Sequence, residues 1–180
     1  VPLVAVLIAV NVWPTDQRPD DLPAVVFLDV GQGDATLFIG RTFTVLIDGG
    51  PDPVVLTRKL EAYGVDRLDV VVVSHVHADH IVGLEGVIGR VPVGLIVADF
   101  EHHSTPAAEW LLSEAQRLGI DSVTPEPGWR FGTDELGFEV LGPRRRYASP
   151  NDESLRTVAS MRSPIEVRHV HEGAVDPSYV

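Results

Sequence analysis

Seven consecutive residues, Ser74-His75-Val76-His77-Ala78-Asp79-His80, carry three imidazoles and one carboxylate. These are the side chains that bind divalent metals through nitrogen and oxygen. His75 and His77 are two apart, and in an extended segment residues i and i+2 point the same way, so both rings can reach one ion. Asp79 and His80 fall where the chain turns into the next element and can reach a second ion. Two ions about 3.5–4 Å apart lower the pKa of a shared water and make it a nucleophile for a phosphorus or carbonyl centre. Asp79 can orient that water or take its proton, which makes it the candidate catalytic residue. The chain has no cysteine, so a metal here depends on His, Asp and Glu, and zinc or manganese suits such a set. A single histidine is ordinarily a surface residue. Four ligand-type residues at this spacing, directly behind an apolar strand, point to a metal site instead.

The neighbouring sequence predicts what positions that loop. Val70-Val71-Val72-Val73 leads into it as part of a central strand over 69–73 that is fully apolar past Asp69. A helix over 80–88, ended by Gly89, follows. Upstream, strands over 24–30, 35–39 and 43–47 form a meander, broken by the turns Gly31-Gln32-Gly33-Asp34 and Gly40-Arg41. The third strand runs into Asp48-Gly49-Gly50-Pro51. Asp48 can aim its carboxylate at a site or serve as a turn residue bonded to its own backbone. Helical spacing covers 53–63 with Gly64 as its stop, and Thr105-Pro106 opens a helix to Leu118 that Gly119 ends. Further strands are predicted over 93–98, 120–123 and 136–141, with turns at Gly128 and Gly132 and the start of one more strand over 155–159.

Residues 1–10 are all apolar and Trp13 follows. About twenty such residues span a bilayer, so the run reads as the end of a longer membrane helix with Trp13 at the interface, or as a buried first strand. Residues 14–23 carry three prolines and read as a linker, 24–160 as the domain, and 161–180 as a tail with no sustained period. Formal net charge is −12 over 180 residues, and Arg144-Arg145-Arg146 is the one basic cluster. That balance disfavours general nucleic-acid binding, which depends on neutralising phosphates. The Arg cluster and His102-His103 read as solvated loops, and His169 and His171 carry no signal.

The strand-loop-helix VVVVSHVHADHIVGL, preceded by a strand ending in Asp48, resembles the metallo-β-lactamase superfamily. The resemblance implies an α/β (α+β) αββα sandwich with the site at the edge of two packed sheets. It implies His75, His77, Asp79 and His80 as metal ligands for two divalent ions, zinc or manganese. It implies Asp48 behind them, and Gly31, Gly33, Asp34 and Asn151 in the same cleft. Over 25–155 the elements VVFLDVGQGDATLF, LIDGGP, VVVSHVHADHIVGLEGV and NDESL are similar to the extracytoplasmic domain of ComEC-type competence proteins, bacterial membrane proteins of DNA uptake. That resemblance implies a phosphodiesterase or nuclease acting on single-stranded DNA, held at the bacterial membrane through its N-terminal hydrophobic segment, with no specific protein partner inferable. The later Asp ligand of the superfamily and the Thr-Gly-Asp-type segment of the ComEC-like domains have no counterpart after Leu155. The expectation is a sandwich truncated or frameshifted, and so incomplete, at its C-terminal end. Two other functions fit the residues: a metallohydrolase of a small ester, lactone or thioester, and an inactive remnant.

Overall fold

The short apolar runs pair in the order in which they occur. β1 (Ala24–Phe27), β2 (Thr36–Ile39) and β3 (Thr44–Ile47) form an antiparallel meander. β4 (Leu68–Val72), β5 (Val93–Val97) and β6 (Asp121–Val123) continue the same sheet in parallel. The computed structural model describes residues 17–100, 105–142 and the backbone of 168–169.

Parallel neighbours need crossover connections, and helices supply them. α1 (Pro53–Ala62) joins β3 to β4, and α3 (Pro106–Leu118) joins β5 to β6. Both open with proline at the first turn, where the missing N–H costs nothing. The Asp52 side chain accepts from the amides of Val54 and Val55, and Thr105 accepts from Ala108, which satisfies donors a helix start leaves open. Gly119, at φ 69°, closes α3 in a conformation that suits glycine. Between β4 and β5 lie α2 (Ala78–Ile81) and a 3-10 turn (Val82–Gly86).

The main sheet is apolar on both faces. On one face Leu37, Leu46, Leu56, Leu60, Ile96 and Leu111 pack the helices against the strands, each at most 1% exposed. Burying a side chain of that size stabilises by about 1.5–3 kcal/mol, so this helix-to-sheet layer carries much of the fold. The other face presents Phe43, Val45, Val70 and Leu95 to a three-stranded sheet of order β8-β7-β9. Its strands are β7 (Trp129–Gly132), β8 (Gly137–Glu139) and β9 (Arg168–His169). Phe138 packs edge-on to Phe38 of the main sheet at 5.0 Å and stacks on Phe131 at 5.1 Å, geometries that favour aromatic pairs. The layers are helix, sheet, sheet. Among the described residues no helix covers the outer face of the second sheet, and no helix is long and apolar enough to cross a membrane.

Three sequence expectations change. The single helix over 80–88 is a short α-helix followed by a 3-10 turn. Its glycines explain why: a Cβ on Gly83 would stand 1.8 Å from the Gly49 carbonyl oxygen, and one on Gly86 2.2 Å from that of Pro53. The segment is pressed against the backbone of 49–53, and the tighter 3-10 winding fits it there. Gly128 lies in a turn as expected, but Trp129–Gly132 form β7, so Gly132 ends a strand that the sequence reading did not place. The tail is not patternless throughout, because Arg168 and His169 pair with Arg130 and Trp129. The linker also lies against the domain, with Gln17 donating to the Ala62 carbonyl and Leu22 packed on the core. Residues 1–13, His102-His103, Arg144–Arg146, Asn151, the strand expected over 155–159 and His171 lie outside the described residues.

Candidate metal centre

The loop leaves the sheet where β4 ends. Val76 is buried while His75 and His77 on either side are exposed, so the two rings share a face as the i, i+2 spacing predicts. Thr105 at the start of α3 holds the loop by donating its hydroxyl to the Val76 carbonyl at 3.1 Å. The His75 and His77 rings meet edge-on, 4.7 Å between centroids. His77 is the N-cap of α2, its carbonyl accepting from the amides of His80 and Ile81. That turn brings His80 back under His75, with ring centroids 3.8 Å apart. His75 is thus the middle ring of three. The Asp79 carboxylate lies 3.8 Å from Nε2 of His80.

Asp48 sits beneath the loop, 4% exposed, just past the end of β3. Its φ of 60° is a left-handed conformation that Asp tolerates better than most residues. That conformation turns the side chain toward β4. One carboxylate oxygen accepts from the Ser74 amide at 2.8 Å. The other accepts from the Ser74 hydroxyl at 2.6 Å and from Nδ1 of His80 at 3.0 Å. Of the two arrangements open from the sequence, these hydrogen bonds are those of a carboxylate aimed at the loop. Ser74 also lies 3.0 Å from Nδ1 of His75 through its hydroxyl oxygen. Sequence reasoning passed over Ser74. A hydroxyl residue next to the first histidine was the one available signal, and serine is too common in loops for it to stand out.

The Gly31–Asp34 turn comes in beside this core. Gly33 has φ 117°, and a Cβ there would stand 2.0 Å from the Asp79 carbonyl oxygen, so only glycine allows the approach. The Asp34 carbonyl accepts from the Gly50 amide at 2.9 Å, while its carboxylate, 78% exposed, comes within 3.9 Å of Nδ1 of His80. Gly31 has a φ of 84°, and a Cβ there would meet only open space. Gly49 donates to the His80 carbonyl at 2.6 Å, and Gly83 to that of Gly50 at 2.7 Å. Backbone bonds and close approaches add to the Asp48 carboxylate in interlocking three segments, 31–34, 48–50 and 74–83.

The donor set fits a divalent ion in its chemistry. It offers imidazole and carboxylate without thiolate, and Asp34, Asp48 and Asp79 give the surroundings a negative charge. Metal–ligand bonds of about 2.0–2.2 Å can bridge the 3.8 Å between His80 and Asp79. Among the described residues no three His, Asp or Glu side chains already surround one point. His75 and His77 are exposed, and exposed side chains change rotamer in picoseconds to nanoseconds. By the superfamily resemblance, the residues that would hold an ion are His75, His77, Asp79 and His80.

Microtubule-associated protein 1A of Rattus norvegicus is 30% identical to this chain over 89 residues, covering 49% of this chain and 3% of that protein. Microtubule-associated protein 1S of the same species is 42% identical over 60 residues, 33% of this chain and 6% of that protein. The chain therefore spans a small part of these curated relatives. Among solved structures, a metallo-β-lactamase of Cronobacter sakazakii is 16% identical with a TM-score of 0.48, covering 72% of this chain and 54% of that one. The Rm3 metallo-β-lactamase is 22% identical with a TM-score of 0.45, covering 72% and 52%. A diphosphatase of the PhnP family is 21% identical with a TM-score of 0.37, covering 54% and 41%. Residues 28–155 match the family model of the Metallo-beta-lactamase superfamily, and the chain belongs to that superfamily of metal-dependent hydrolases, whose members typically bind divalent metals such as zinc.

Proposed function

We propose that this chain is the hydrolytic domain of a DNA-uptake protein, a metal-dependent phosphodiesterase that cleaves single-stranded DNA beside a bacterial membrane. The observation that carries the reading is the place of the Gly31–Asp34 turn. Its GQGD sequence is part of the resemblance to ComEC-type domains, and its backbone is pressed against Asp79 of the metal loop. Among the described residues, three elements of that resemblance, at 31–34, 48–50 and 74–83, thus meet at the loop. The apolar run at residues 1–10 supports a membrane tether. A tether beside a DNA channel works at high effective concentration, so the domain does not need tight DNA binding of its own.

A divalent ion in the loop supplies Lewis acidity and a water acidified toward neutral pH. The chain supplies the geometry. Asp79, whose side chain is 40% exposed, faces solvent and can hold or take the proton of the attacking water. His80, buried at 9%, keeps its ring fixed because Asp48 occupies its Nδ1. Asp34 stands at the rim, where its carboxylate repels phosphates that approach without a cation.

The net charge of −12 favours a second reading, a hydrolase of a small ester, lactone or thioester. Metal analysis and hydrolysis assays on wild type, His77→Ala and Asp79→Ala separate the two. The first reading expects metal-dependent cleavage of single-stranded DNA with steep salt dependence. Both substitutions should cost more than the roughly 10–100-fold typical of residues standing behind ligands. Turnover of lactones or thioesters without phosphodiester cleavage would establish the second reading. Metal binding with no hydrolysis at all would mark an inactive remnant. DNA cleavage that survives both substitutions would remove the loop from the chemistry.

A further inference from the structure

We infer that Ser74 is a positioning residue that fixes the tautomer of His75 and so aims the Nε2 lone pair of that ring at the metal. The argument is a count of protons. Ser74 has one hydroxyl proton, and its oxygen lies 2.6 Å from Oδ2 of Asp48. An ionised carboxylate can only accept, so that proton belongs to the Asp48 bond. The same oxygen lies 3.0 Å from Nδ1 of His75. With its proton committed, the oxygen can only accept there, and Nδ1 of His75 must carry the hydrogen. A neutral imidazole has one N–H, which leaves Nε2 of His75 as the bare donor.

Asp48 fixes His80 in the same sense without an intermediary, because Nδ1 of His80 reaches Oδ2 at 3.0 Å. One buried carboxylate therefore sets two rings, His80 directly and His75 through a serine. The Ser74 amide, bonded to Oδ1 at 2.8 Å, keeps the hydroxyl beside the carboxylate. Ordinarily the group behind a metal-binding histidine sets which nitrogen binds. Here that group for an exposed ring is a hydroxyl relay from a buried acid. The role toward metal rests on the reading of the loop as a metal centre. The tautomer does not, and it can be measured without metal.

The test is nitrogen-15 NMR of the histidine rings in the full chain, metal-free, at about pH 8, above the ordinary imidazole pKa of about 6.5. In the wild type His75 and His80 should both show a protonated Nδ1 and a bare Nε2. In Ser74→Ala His75 should lose that preference and shift toward the form protonated on Nε2, while His80 keeps its pattern. An unchanged His80 shows that the Asp48 pocket is intact, so the His75 change is not general disruption. Ser74→Thr keeps a hydroxyl and should restore the wild-type pattern. Competition with a chelator for zinc alone should show affinity weakened about 10–100-fold in Ser74→Ala and nearly restored in Ser74→Thr. A wild-type His75 protonated on Nε2 would overturn the inference, and so would a Ser74→Ala pattern identical to wild type. The wild-type spectrum decides even if a variant fails to fold. A correct tautomer in a protein that binds no zinc would refute the metal reading instead.

Discussion

Two buried aspartates tie the same two strands together at opposite ends, and their partners differ. Asp48 follows β3 and reaches across to Ser74 beyond the end of β4. Asp69, within β4 and 7% exposed, reaches back to the Thr44 amide at the start of β3, at 2.8 Å. Asp69 is completed by Arg67, whose side chain is 64% exposed. A cavity of about 110 Å³ opens beside it, lined in part by Arg18, Arg41, Tyr63 and Arg67. The guanidinium has no second state, since Arg stays protonated and only donates. Asp69 is therefore a clasp whose influence ends at its partner. Asp48 instead meets a hydroxyl and an imidazole, each of which has another side. Whatever orientation Asp48 imposes passes to the outer nitrogens of His75 and His80. The same residue type at mirror positions is a brace in one place and a positioning device in the other.

The sharpest way to break the comparison is to spread the Asp48 end. In Gly83→Ala the added Cβ would stand 1.8 Å from the Gly49 carbonyl oxygen and 2.7 Å from its carbon, atoms of a backbone that cannot swing aside. We expect a loss of more than about 3 kcal/mol in urea unfolding. At the Asp69 end, Gly94→Ala brings a Cβ 2.7 Å from the Asp69 carbonyl oxygen. A shift of one strand relieves that, and about 1–2 kcal/mol is expected. Equal losses would mean that the site end is no more tightly interlocked than the other.

A smaller pair of effects addresses the carboxylates themselves. Asp48→Asn has no good orientation. If the amide oxygen faces the Ser74 hydroxyl and His80, the NH2 meets the Ser74 amide, and the reverse places it against two donors. A buried donor left unmatched costs about 1–3 kcal/mol, so we expect a loss of about 2–4 kcal/mol. Asp69→Asn can keep its oxygen on the Thr44 amide and turn its NH2 toward Arg67, which rotates into solvent. About 1 kcal/mol is expected, in line with a mostly exposed ion pair. Reversal of that order in chemical denaturation would undo the contrast between brace and positioning device.

The sheet and the loop were legible because each left a periodic or chemical trace. The valine run before Ser74 could only be a central strand, and His75 and His77 at i, i+2 could only share a face. Pro53, Pro106 and Gly119 stand where helix ends need them. What could not be read depends on contacts distant in sequence. Gly83 and Gly86 look like ordinary helix residues until the backbone of 49–53 is packed against them. β7 was hidden between two glycines, although Trp129 and Phe131 alternate as a strand would. β9 is two residues long and exists only through its pairing with β7. Ser74 escaped notice because its meaning lies in Asp48, 26 residues earlier.

The smallest effect expected is at a carboxylate outside both ends, and it gauges how much burial contributes to the other two. Glu114 and Arg117 pair at i, i+3 on α3. The hydrogen bond from Arg117 holds the Glu114 carboxyl below its ordinary value of 4.5, and the same bond raises Arg117. A carboxyl pKa lowered by folding stabilises above the unfolded value, and that contribution is lost as pH falls through the folded one. Glu114→Gln should therefore be slightly less stable than wild type at neutral pH. The two curves should converge on acidification below 4.5, and at neutral pH in about 1 M salt, where an exposed pair is screened. The Asp48→Asn deficit should persist in that salt, because it comes from unmatched buried donors that ions do not reach. Urea unfolding at neutral pH with and without salt measures both. A Glu114→Gln deficit as large as that of Asp69→Asn would show that partner type, and not burial, ranks the carboxylates of this fold.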